Sequence, residues 1–137
     1  MANLTIDPKK VSPVYVVEQF TAPSGIAIAN GVAVRVETTT GKLLKANAAT
    51  APNAAVKGIS LSNATPAGMP TTVVRKGIVN VGDALDALAF GASVFLSDTD
   101  GLLADTAGTV STKVGEVVAG FNADAGLSPD KLLRIDL

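Results

Sequence analysis

Apolar and polar positions alternate in short runs along most of this chain. Val32, Val34 and Val36 are separated by Ala33, Arg35 and Glu37, a period of two that predicts a strand with one buried face. The same reading predicts strands at residues 14–20, 42–45, 55–61, 71–81, 93–96, 114–121 and 133–137. Turn chemistry separates them: Pro23-Ser24-Gly25, Thr40-Gly41 and Asp98-Thr99-Asp100-Gly101 each hold residues that favour tight reversals. Gly58, inside one run, predicts a bulge or a close backbone approach, and Gly77 breaks the long run at 71–81. Residues 46–53 fit a helical turn or a loop, and residues 63–70, with Pro66, Gly68 and Pro70, fit a loop.

The pattern departs from strand periodicity twice. Around residues 83–89 it predicts one short helix, with Asp83 as N-cap, Leu85 and Leu88 on a shared face, and Gly91 as terminator. Residues 1–13 carry Pro8, Pro13 and the pair Lys9-Lys10 with few large apolar groups. They are expected to form an extended N-terminal arm that orders when something pairs with it. The expectation is a mainly β protein: an arm at 1–13 and one β-rich domain at 14–137, a small barrel or sandwich.

Composition narrows the function. The 137 residues fit one domain, and the hydrophobic 47% is mostly Ala and Val, with aromatics at only 4%. Such a core is built from small, stiff side chains that suit strands. Cys and His are both absent. Their absence removes disulfides, thiolate nucleophiles and the commonest general base and metal ligand. The expectation is a protein that is not an enzyme, with no catalytic residues, no cofactor and no metal. The N-terminus lacks a basic-then-apolar signal pattern, and no apolar run approaches the ~18–20 residues of a membrane span. Net charge is −1, unevenly distributed: residues 1–76 hold eight basic against three acidic residues, and residues 77–137 hold three against nine. Such a split steers contacts between subunits unless both halves share one surface.

The remaining motifs are weak as chemistry. Asp98-Thr99-Asp100-Gly101 with Asp105 has the oxygen spacing of part of a calcium loop but lacks its further ligand and distal Glu, so a plain turn is expected. Asp98-Thr99 and Asp105-Thr106 echo the aspartic-protease pair, yet the Gly that should follow each is replaced by Asp100 and Ala107. Ser60, Ser62, Ser111 and Lys113 supply no spacing that singles out a Ser/Lys nucleophile, the basis of an alternative reading as a small Ser/Lys or Asp-dependent hydrolase. Lys76-Gly77 lacks the flanks of a carrier-domain lysine. Arg75-Lys76 comes without the basic excess or aromatics that nucleic-acid binding needs, so neither nucleic acid nor membrane is expected as a partner.

Three stretches carry a family resemblance: Gly31-Val32-Ala33-Val34-Arg35-Val36 with Thr40-Gly41-Lys42-Leu43; Val56-Lys57-Gly58-Ile59-Ser60; and a third running from Lys76-Gly77-Ile78-Val79 and Val81-Gly82-Asp83-Ala84-Leu85, through Gly91-Ala92-Ser93-Val94-Phe95 and Asp100-Gly101-Leu102, to Val114-Gly115-Glu116-Val117-Val118. Over residues 25–137 the chain resembles the small decoration, or cement, proteins of tailed-bacteriophage heads. The resemblance implies a β-tulip-like fold and a structural protein of the virion surface, assembled in the host cytoplasm. It further implies a homotrimer that binds the major capsid protein on the expanded shell. A head-fibre base or other virion surface module is the neighbouring alternative. In this reading the capsid-binding residues are Ile6, Asp7, Pro8, Lys9, Lys10, Val11, Val14, Tyr15 and Val17.

Overall fold

A computed structural model describes residues 2–62, 67–120 and 130–137. Among them are nine strands: β1 Val11–Pro23, β2 Ala33–Val36, β3 Leu43–Lys45, β4 Val56–Ser60, β5 Pro70–Val81, β6 Ser93–Leu96, β7 Leu103–Ala104, β8 Lys113–Ala119 and β9 Lys131–Asp136. They form one sheet in the order β3-β2-β4-β5-β9-β8-β6-β7, with β1 added on β5. The protein is mainly β, and its sheet is open and curled like half a barrel.

The long run of β-formers at 71–81 becomes β5, and the sheet is organised around it. One edge of β5 pairs with β1 over its whole length, from Val11 opposite Val81 to Pro23 opposite Pro70. The other edge is shared: Val73 and Val74 pair with β4, and Lys76 to Val79 pair with β9. Gly77, read from sequence as a break, sits inside the strand at φ +144. A Cβ there would lie 2.3 Å from the Tyr15 carbonyl oxygen, so glycine lets β1 approach this closely. Gly58 bears out the close approach expected of it: a Cβ at 58 would lie 2.3 Å from the Val74 carbonyl oxygen. The β2–β4 register shifts beside it.

The curl gives the sheet two apolar clusters. The larger one joins Ala33, Ile59, Val74, Val79, Leu85, Leu96, Leu133 and Ile135, all essentially inaccessible to solvent. The smaller joins Ile28, Val34, Leu43 and Val73, flanked by Phe20, Ala22, Val32 and Val36. Neighbours Ala33 and Val34 therefore serve different cores, as do Val73 and Val74. This corrects the expectation that β2 buries one face. Ile28 packs onto the second face, a long-range contact that periodicity does not contain. Each fully buried Val, Leu or Ile contributes about 1.5–3 kcal/mol.

The predicted helix at 83–89 is not formed. Residues 82–88 make consecutive turns, with Asp86 N donating to Asp83 O at 3.2 Å and Leu88 N to Leu85 O at 3.0 Å. The Asp83 carboxylate meets Lys10 Nζ at 3.2 Å instead of capping a helix, and Gly82 at φ +68 turns the chain sharply out of β5. A segment this short does not repay helix nucleation. Leu85 still reaches the core, held by turns. The regular helix among the described residues is a single 3-10 turn at Pro8–Lys10, capped by Asp7, whose side chain accepts from Lys9 N.

Residues 2–10, read from sequence as part of an arm, run against the body. Leu4 N donates to Leu103 O at 2.8 Å, Asn3 bridges Ala104, and Leu4 joins the main core. The strand expected at 14–20 is longer in both directions. The two-residue β7 escaped prediction because it is too short to show a period. Phe121 and part of the 63–70 loop lie outside the described residues.

Replacing Gly77 by alanine is expected to lower stability by about 1–3 kcal/mol, read as a shift in the urea midpoint. Gly41→Ala should cost less, about 1 kcal/mol. Gly41 also has positive φ (+73), but no atom lies within 4 Å of a Cβ built there.

Candidate interaction surface

A sheet edge is a row of unpaired amides and carbonyls, and each edge here can be accounted for. At one end, β3 is covered by Ser24, bridged to Leu43, and by Gly25 N donating to Leu43 O at 2.8 Å. At the other, β7 is covered by Asn3 and Leu4. Among the described residues β1 pairs with β5 alone, so its outer edge has no strand partner.

That edge is sparing in charge, although two prolines and several register irregularities, features that limit further pairing, also lie along it. In thirteen residues β1 carries one charge, Glu18, which pairs with Arg75 at 3.0 Å. Pro13 and Pro23 stand near its two ends, and its three register irregularities fall between Pro13 and Gln19. Tyr15 and Val17 are each 63% exposed and Val14 39%, an apolar group presented to solvent in the middle of the strand. Tyr15 and Val17 border a shallow depression of about 270 Å³, together with Lys76, Ile78, Arg134 and Asp136.

Beside the depression, the outer face of β5, β9 and β8 carries a chain of ion pairs: Lys76–Asp136 at 3.8 Å, Asp136–Arg134 at 4.0 Å, Arg134–Glu116 at 2.8 Å and Glu116–Lys113 at 3.9 Å. These side chains are largely exposed, so each pair contributes under about 1 kcal/mol. Sequence reading did not find this network. Arg134 and Asp136 read only as the polar face of a strand, and the register that brings Lys76 and Glu116 to them is tertiary. Two ion pairs, Lys10–Asp83 and Lys76–Asp136, join the basic half of the sequence to the acidic half.

The residues proposed from sequence separate into three groups. Val14, Tyr15 and Val17 lie together on exposed β1. Ile6 packs against the main core and Val11 is buried. Asp7 and Lys10 are engaged locally, with Lys9 N and Asp83, while the Pro8 and Lys9 side chains are exposed.

The acidic and hydroxyl motifs do not converge. Asp98 accepts from Thr109 N at 2.8 Å and Thr109 Oγ1 at 2.7 Å, Asp100 from Asn47 Nδ2 at 2.6 Å, and Asp105 from Ala2 N at 2.9 Å. Among the described residues no group of three or more Asp or Glu is placed to hold a metal ion. Ser60 is buried, its hydroxyl donating to Ala29 O at 2.6 Å and accepting from Val32 N at 3.0 Å. Ser62 accepts from Thr72 N. No helix among the described residues is long and apolar enough to cross a membrane. No protein-family model, curated protein or solved structure matches the chain.

The two Thr109 hydrogen bonds, backbone first and hydroxyl second, hold the Asp98 carboxyl below its ordinary pKa. A depressed native pKa means a stabilising contribution that is complete above the unfolded carboxylate value, ~3.9. It is lost as pH falls from there through the native value. A carboxyl titration followed by NMR should place Asp98 below that value in the wild type, and Thr109→Val should move it upward. An unchanged titration in the variant would contradict this origin of the shift.

Proposed function

We propose that this chain is a capsid decoration protein of a tailed bacteriophage. In this reading it assembles as a homotrimer on the outside of the expanded head, binds the major capsid protein and stabilises the shell. The observation that carries the reading is the outer edge of β1, which has no strand partner among the described residues, holds one charge and displays Val14, Tyr15 and Val17. An edge of this kind accepts an extended segment by strand addition: main-chain hydrogen bonds supply affinity and alternate side chains supply specificity. The resemblance across residues 25–137 supplies the class of partner, a shell subunit.

Symmetry favours a foreign strand on this edge. Two β1 edges from different copies pair around a two-fold axis, and a three-fold ring does not close through such isologous contacts. Since the ends β3 and β7 are covered by the chain's own residues, a trimer joined through other surfaces leaves three β1 edges for the shell. Three weak strand additions held on one rigid body act together through effective concentration. None of this needs acid–base chemistry, which suits a chain without His or Cys.

Deleting residues 1–13 is a poor test, because Leu4 and Val11 belong to the protein interior. Substitutions on β1 are cleaner. Tyr15→Glu with Val17→Lys should weaken co-sedimentation with expanded empty heads by more than about a hundredfold, nearly 3 kcal/mol at 1.4 kcal/mol per tenfold. Light scattering of the same variant should still report a trimer. Undiminished head binding, or a monomeric wild type, would remove the proposal.

A further inference from the structure

Asn30-Gly31 is the one Asn-Gly pair in the sequence. Glycine offers no side chain to hinder attack by its own amide on the preceding asparagine, so this dipeptide is chemically the most prone to deamidate. We infer that Asn30 is a deamidation site that the native fold holds closed, and that its conversion to aspartate unfastens the N-terminal segment. This stands independently of the capsid reading.

The reaction needs only water. The Gly31 backbone nitrogen loses its proton and attacks the Asn30 side-chain carbonyl carbon. The bond from that carbon to the side-chain nitrogen breaks, ammonia leaves, and a five-membered succinimide remains. Water then opens either of the two ring C–N bonds to the former Asn30 carbonyl carbons, leaving an aspartyl or isoaspartyl residue and one added negative charge.

The fold restrains the attacking atom. Gly31 N donates to Ser60 O at 2.8 Å. Ser60 holds the residues on either side as well: its hydroxyl donates to Ala29 O and accepts from Val32 N, and its own N donates to Val32 O at 2.9 Å. Because Ser60 is buried in β4, the 29–32 turn is fastened to the sheet. Gly31 itself is roofed by the N-terminal segment: a Cβ there would lie 2.8 Å from Val11 Cγ2 and 3.0 Å from Ile6 Cγ2. Swinging Gly31 N onto the Asn30 side chain requires breaking this clamp.

The leaving group is also the clasp. Asn30 Nδ2 donates to Pro8 O at 3.1 Å and to Val11 O at 3.3 Å, where the 3-10 turn joins β1. A carboxylate at the same position donates nothing and turns oxygen toward two carbonyl oxygens. Both bonds are lost and repulsion replaces them.

The test follows the full-length protein at mildly alkaline pH, native and in urea, with deamidation read by peptide mapping. Asn30 in the native protein should convert at least about tenfold more slowly than in urea, since reaction waits on local opening. Ser60→Ala should raise the native rate. Hydrogen exchange is then measured on Asn30→Asp and on the deamidated wild-type fraction, separated by its added charge. Protection at the Leu4 and Lys10 amides should fall while β8 and β9 keep theirs. Equal rates in the native protein and in urea, or no acceleration in Ser60→Ala, would overturn the clamp. Unchanged protection at Leu4 and Lys10, or loss throughout β8 and β9 as well, would overturn the clasp.

Discussion

The hydrogen-bonding of β5 on both edges is the constraint from which the rest of the fold follows. One edge is given entirely to β1 and the other is divided between β4 and β9. A strand with three partners forces the sheet to part where β4 ends and β9 begins. β5 thereby joins the β2–β3–β4 strands to the β6–β7–β8–β9 strands in one curled sheet. Glycine at 77 is what makes this geometry available, because a side chain there would collide with the β1 backbone. Register on β1 is irregular near the same point, as expected where a strand must bend to follow a twisting neighbour.

Two cores follow from the curl. The main cluster and the second one of Ile28, Val34, Leu43 and Val73 take neighbouring residues of β2 and β5 in opposite directions. Small aliphatic side chains suit this arrangement, since β2 and β5 must present apolar groups on both faces within a thin sheet. The segments joining the strands are used economically. Ser24 and Gly25 cover β3, Asn3 and Leu4 cover β7, and the turns at 82–88 deliver Leu85 to the core without a helix. Both ends of the strand order are thereby covered, and among the described residues the outer edge of β1 has no strand partner.

The charged groups are engaged locally. Ion pairs bind the outer face of β5, β8 and β9 into a continuous chain, while the acids of the 98–105 region are occupied one by one with Thr109, Asn47 and Ala2. Carboxylates satisfied separately form no shared site. The apolar, nearly uncharged β1 is the contrast, and among the described residues its outer edge has no strand partner.

Local chemistry in the sequence determined most of the extended segments and turns, apart from β7 and the two ends of β1. Valine alternation marked β2, β6 appeared with its own limits, and Gly41, Gly58 and Gly101 stand at a turn or close approach. It also determined what chemistry is unavailable, since no imidazole or thiol exists to be positioned. It did not determine the role of residues 83–89, where a helical pattern of Asp and Leu yielded to a salt bridge with Lys10 and to Leu85 burial. Nor did it show that Ala33, lying between Val32 and Val34 in the alternation, is buried in a different core from Val34. The separation of Val14, Tyr15 and Val17 from Ile6 and Val11, the ion-pair chain and the clamp of Ser60 on the Asn30 turn were decided by tertiary structure. Each depends on strand register between residues far apart in sequence, and register is set by packing and edge pairing, which no local pattern encodes.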